Sequence, residues 1–232
     1  MHQIWRGLVA DEKHGSLPIL MLLLTVVTGV VDAVSLLTLG RVFVANMTGN
    51  VVFIGFAIVD TPGYSLLASV AALLGFVAGA LLSAPILKRR QGNRFHLMRD
   101  VMLVEGVLVL VALVIALFTD EPFSTGVATV IAAVLAVALG LQNATARKLA
   151  VPDLTSTVLT MTITGLGADR SSGPLVRTRR LLALLAMGGG AAVGALLVRH
   201  THAWVGLLLA VALLVVVGAG AALSSDRHPE AR

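Results

Sequence analysis

Gly29-Val30-Val31-Asp32-Ala33 returns later in the chain as Gly140-Leu141-Gln142-Asn143-Ala144, an offset of 111 positions. A second pair follows in the same order. Gly75-Phe76-Val77-Ala78-Gly79-Ala80-Leu81-Leu82 is echoed by Gly190-Ala191-Ala192-Val193-Gly194-Ala195-Leu196-Leu197, at an offset of 115. A glycine, an amide or acid, and an alanine recurring in step point to a duplicated unit of about half the chain. In an apolar sequence, such duplication is a common way of building a path between two halves.

Working outward, the flanking sequence is too apolar for a soluble domain: 57% of the 232 residues are hydrophobic and 12% are charged. Candidate spans lie at about 17–39, 64–87, 101–118, 125–146, 181–198 and 203–223, each near the length that crosses ~30 Å of hydrocarbon. Two shorter apolar pieces, 44–59 and 155–168, are interrupted by polar residues and glycine. With no cysteine in the chain, disulfides, thiolate metal sites and cysteine nucleophiles are excluded. The net charge of +5 resides mostly in short loops, where it orients a membrane protein rather than binding nucleic acid. The first apolar run is longer than a signal-peptide core and lacks a convincing cleavage site, so it reads as a retained helix, with Trp5 as an interfacial anchor.

Positive charge then chooses between topologies. If all eight apolar pieces cross, Lys and Arg divide 9 to 8 between the two sides. If the two short pieces enter and return, six spans remain and the split becomes 15 to 2, with only Arg41 and Arg199 opposite the rest. The positive-inside rule selects the second arrangement, with both termini cytoplasmic in an inner membrane. Three spans per unit is an odd number, so the second unit must be inserted upside down. The expected fold is an all-α membrane protein: a segment 1–16, a three-helix repeat over 17–118, an inverted three-helix repeat over 125–223, and a tail 224–232, each repeat carrying a short re-entrant or broken helix. Thin but complete crossings by the short pieces, or a break inside the first span, are the rival readings.

Asp32 is the sharpest single residue. On a helix it shares a face with Thr25, Thr28, Gly29 and Ser35, and an acid in a membrane helix needs a cavity or a partner. Capping the first short segment, or pairing with Arg41, would also explain it. Its counterpart is Asn143, preceded by Gln142. The short segments carry Asn46 with Thr48-Gly49-Asn50, and Thr155-Ser156-Thr157 followed by Thr160, Thr162 and Thr164. Such groups cap free N–H groups at a helix start, where anions are also attracted, so they are candidates for substrate or ion contact as well as for plain capping. Gly75–Gly79 and Gly190–Gly194 are small-residue faces suited to close helix packing, within the chain or in a homodimer. Glu105, a second intramembrane acid, suits either a pairing with Arg99 or a proton relay with Asp32. His200 and His202 form only a weak metal motif. No P-loop, zinc-protease motif or nucleophile elbow is visible, so no cofactor and no enzymatic constellation is expected.

Taken together, Gly29-x-x-Asp32-Ala33, Phe43 through Thr48-Gly49-Asn50, Gln142-Asn143-Ala144 with Arg147, and Thr155 through Thr160-Met161-Thr162 with Asp169 resemble the YoaK-like family of bacterial membrane proteins. That resemblance spans nearly the whole chain and implies a polytopic inner-membrane protein, without a substrate or site residues to carry over. The residues themselves favour a permease for a small solute, a secondary transporter with Asp32 coupling it to protons or cations. A channel and a non-transporting scaffold or accessory protein are the alternatives. The expected partners are the lipid bilayer and a small solute, not nucleic acid.

Overall fold

The computed structural model describes residues 11, 14–90, 93–151, 159–169 and 173–225. They form eight helices: α1 (Leu17–Thr38), α2 (Met47–Ile58), α3 (Leu66–Arg89), α4 (Arg94–Leu117), α5 (Thr125–Leu149), α6 (Leu159–Ala168), α7 (Pro174–His200) and α8 (Ala203–Ser225). Six are long and apolar enough to cross a membrane; α2 and α6 are not. At 12 residues, α2 is about 18 Å long, well short of the hydrocarbon thickness.

Local chemistry sets the ends. Pro18 and Pro174 occupy first turns, where a missing N–H costs nothing. The side chains of Ser65, Asn93 and Ser124 accept from the N–H groups of Ala68, His96 and Val127. The fourth and seventh helices start seven residues earlier than hydropathy suggests, at 94 rather than 101 and at 174 rather than 181. Their first two turns hold Arg94, Arg99, Arg177, Arg179 and Arg180, which interrupt the apolar signal without interrupting the helix.

Contacts between helix ends fix two faces. On one, Ser16 and Ser224 share a 2.7 Å hydrogen bond, joining the start of α1 to the end of α8. Arg94, opening α4, meets His14 Nδ1 at 2.7 Å and donates to the carbonyl of Leu149, which closes α5. Arg179, near the start of α7, pairs with Asp11 at 2.6 Å. On the other face, Glu121 before α5 accepts from the Ala203 N–H that opens α8, at 2.8 Å. There too Arg41, after α1, packs on Gly63, before α3. The short helices thus join ends lying on a common face: α2 links α1 to α3, and α6 links α5 to α7. Complete crossings by the short pieces do not fit this arrangement.

The packing has a regular plan. The most extensive interfaces are α3 on α5, α1 on α7 and α4 on α8, followed by α4 on α5 and α1 on α8; α2 lies on α3, and α6 on α7. Exchanging α1 with α5, α2 with α6, α3 with α7 and α4 with α8 leaves this list unchanged. α1 and α5 barely touch each other, yet are the most enclosed helices, with 78% and 56% of their apolar windows buried against 39% or less elsewhere. Thr25, Thr28, Asp32 and Ser35 on α1, and Gln142 and Thr145 on α5, therefore face protein rather than lipid.

Glycine makes the tightest approaches. A Cβ on Gly79 would strike the Val137 carbonyl, and one on Gly190 would strike that of Val26. Likewise Gly140 lies on the Phe76 carbonyl and Gly29 on that of Met187. In all four equivalences, 79 with 190, 137 with 26, 140 with 29 and 76 with 187, the separation is 111. This corrects the reading of the second motif pair. The offset of 115 slid one small-residue face by a helical turn, a shift that letter matching cannot detect because residues four apart share a face. Gly75 and Gly194 also pack within the chain, on the carbonyls of Ala133 and Val30. These faces are filled by the chain's own helices.

Candidate functional site

The site is built around the polar stripe of α1. Thr25, Thr28, Asp32 and Ser35 are all buried. The hydroxyls of Thr25 and Thr28 donate to the carbonyls of Met21 and Leu24, each at 2.9 Å, and that of Ser35 donates to the Asp32 carbonyl at 3.0 Å. Each hydroxyl hydrogen is thereby used within the helix. Gly40 and Arg41, both at positive φ, then turn the chain back over the end of α1, burying Val42, Val44 and Ala45.

Irregular backbone at such depth needs internal partners. Two side chains provide them. Asp32 Oδ1 accepts the N–H groups of Val44 at 3.0 Å and Ala45 at 3.1 Å. Asn50 Oδ1 accepts the Phe43 N–H at 2.9 Å, while its Nδ2 donates to the Phe43 carbonyl at 2.6 Å. Three consecutive N–H groups are thus satisfied. Asp32 Oδ2 is buried without a hydrogen-bond partner.

Across from α1, Gln142 on α5 donates from Nε2 to Thr28 Oγ1 at 3.0 Å. Its Oε1 is buried and unpartnered, as is Asn143 Nδ2. A cavity of about 90 Å³ opens beside Thr28 and Asp32. α1 contributes Thr28 and Asp32 to its wall, the returning loop Ala45 and Asn46, α6 Leu159 and Thr160, and α7 Met187.

The geometry sorts the residues that sequence singled out. Asp32 and Asn46 line the cavity, and Gln142 stands behind Thr28. Asn50 is spent on the loop. Gly49 lies under the Phe43 ring and Thr48 is exposed; neither lines the cavity. Thr155, Ser156 and Thr157 lie outside the described residues. Arg41 does not pair with Asp32; its guanidinium sits 5.8 Å from the centre of the Tyr64 ring. Glu105 is fully buried in α4, with neither carboxylate oxygen hydrogen-bonded, and is not part of the cavity. Arg99 does not reach it, because the guanidinium turns to the adjacent Asp100 at 2.7 Å while Glu105 sits a turn and a half deeper. His202 Nδ1 lies 4.0 Å from Glu121, and no cluster of three metal-ligating residues occurs among the described residues. Met187, an apolar residue in an apolar helix, carries no sign in the sequence of its place at the site. Its only pointer is the 111-residue relation to Phe76.

Comparison with known proteins gives the same broad class. Residues 20–219 match the family described as "Protein of unknown function (DUF1275)". The chain is 31% identical over 154 residues to the UPF0700 transmembrane protein YoaK of Bacillus subtilis (strain 168), an alignment covering 66% of each chain and so just under two thirds of that relative. No solved structure matches.

Proposed function

The chain belongs to the DUF1275 family and is a multi-pass membrane protein; on that footing we propose that it is a permease, a secondary transporter of a small solute with no enzymatic step, working in the cytoplasmic membrane. The observation that carries this reading is the cavity beside Asp32. It is lined by elements of both halves and by an acid with one carboxylate oxygen unpartnered, and it lies on the most enclosed of the six long helices. An acid so placed is costly unless it is used.

Two three-helix units, inserted in opposite directions and each with a short re-entrant helix, account for the exchange-symmetric packing and for helix ends gathering on two faces. Six crossings keep the 15 to 2 division of basic residues, which puts both termini in the cytoplasm. The packing also constrains how the molecule can alternate. Because the tightest contacts join one sequence half to the other, rocking one half against the other would break them. The moving bodies are instead α1 with α6, α7 and α8, and α2 with α3, α4 and α5, hinged along α4 and α8 and parting at the sparse seam between α1 and α5.

Flux into proteoliposomes across a panel of small solutes tests the reading. Saturable uptake by the native chain should be abolished by Asp32→Asn. Uptake that never saturates indicates a channel. An inert chain that co-purifies with another membrane protein indicates an accessory role.

A further inference from the structure

We infer that the cavity beside Asp32 binds a small cation carrying N–H donors, an ammonium or short primary alkylammonium ion, and rejects anions. The inference deepens the permease reading and rests on it for its physiological meaning, though not for its test. It follows from the hydrogen-bond polarity of the site. Thr28 Oγ1 gives its one hydrogen to the Leu24 carbonyl, so toward Gln142 it offers only a lone pair. The Gln142 amide therefore turns its nitrogen to Thr28 from behind the cavity wall and takes up that lone pair. Asp32, which lines the cavity, has Oδ1 held by two loop N–H groups, which fixes the carboxylate and leaves Oδ2 as the free acceptor. Asp32 is 3% exposed, so water does not freely serve this oxygen. Buried acceptors of this kind await a donor.

The backbone donors that would favour an anion are engaged. The N–H groups of residues 43 to 45 go to Asn50 and Asp32, and among the described residues no basic side chain lines the cavity, whereas the carboxylate of Asp32 does. A dehydrated metal ion suits the site less well, since hard cations gather six or more oxygens and few are free here. An ammonium group needs only one acceptor per N–H. The volume, about 90 Å³, has room for an ion as small as methylammonium.

The test measures binding of radiolabelled methylammonium to the full chain in lipid nanodiscs, with sodium and acetate as competitors. Saturable binding, displaced by ammonium but not by equal sodium or acetate, is expected. Asp32→Asn keeps an oxygen for the Val44 and Ala45 N–H groups but replaces the free acceptor with a donor. It should weaken binding by about tenfold or more, as loss of a charged hydrogen bond implies. Binding of acetate instead, displacement by sodium as effective as by ammonium, or unchanged methylammonium binding in Asp32→Asn with a native melting temperature would overturn the inference. Methylammonium that binds but is never carried would sink the permease reading and leave this one standing. Transport of another solute without methylammonium binding would do the reverse.

Discussion

At the scale of single residues, the two oxygens of Asp32 do different work, and substitutions can separate them. Oδ1 holds the loop that returns over α1, together with Asn50, while Oδ2 is left without a partner on a residue that lines the cavity. Asp32→Ala leaves the N–H groups of two buried residues unpaired, at roughly 1–3 kcal/mol for each. Asn50→Leu strands the Phe43 N–H and carbonyl, at a similar cost. Both variants should melt well below the native chain in detergent by differential scanning fluorimetry, whereas Asp32→Asn should melt close to it. Equal losses from Asp32→Ala and Asp32→Asn would mean that the negative charge, rather than the acceptor at Oδ1, holds the loop. This division of labour was only half legible. A polar stripe on an apolar helix marks Asp32 in the sequence, and capping was one of its readings. The partner it caps lies 12 and 13 residues further on, across a reversal made by Gly40 and Arg41, and no periodicity encodes such a contact.

At the scale of helices, stability depends on which glycines meet a neighbouring backbone. Gly188, Gly189 and Gly190 are consecutive in α7, yet only Gly190 faces α1; a Cβ on Gly188 or Gly189 meets nothing within 4 Å. Gly188→Ala should be neutral or stabilise by up to about 1 kcal/mol, because it only restricts the unfolded chain. Gly190→Ala must push Val26 aside, and overpacking of this kind costs roughly 1–3 kcal/mol. Gly79→Ala, pressed on Val137, should lose a similar amount, since the two sites repeat one geometry. Melting temperatures of the three variants check this; a tolerant Gly190→Ala beside a damaging Gly188→Ala would invert the packing. Six spans and two short pieces could be read from hydropathy and charge, because transfer from water to lipid depends on composition. The exact register could not. Small residues one turn apart are interchangeable as text, and only the carbonyls of Val137 and Val26 distinguish them.

At the scale of the whole molecule, the question is which parts move together, and the absence of native cysteine makes it tractable, since introduced thiols are the only ones. Ser16, just ahead of α1, and Ser224, on α8, lie 2.7 Å apart, Oγ to Oγ. They belong to different sequence halves but to the same moving body in the motion proposed above. His14 and Arg94, whose side chains meet at 2.7 Å, belong to different bodies on the same face. Their contact, with that of Arg94 on the Leu149 carbonyl, would have to part if the seam between α1 and α5 opens there. Joining Ser16→Cys to Ser224→Cys with a thiol cross-linker should therefore leave proteoliposome flux intact. Joining His14→Cys to Arg94→Cys should stop it, and a reducible linker should let flux return on cleavage. Loss of flux from the first cross-link would mean that the sequence halves themselves rock. Flux surviving the second would mean that this face stays closed throughout the cycle, so that alternation must be sought at the opposite end, where Glu121 meets Ala203.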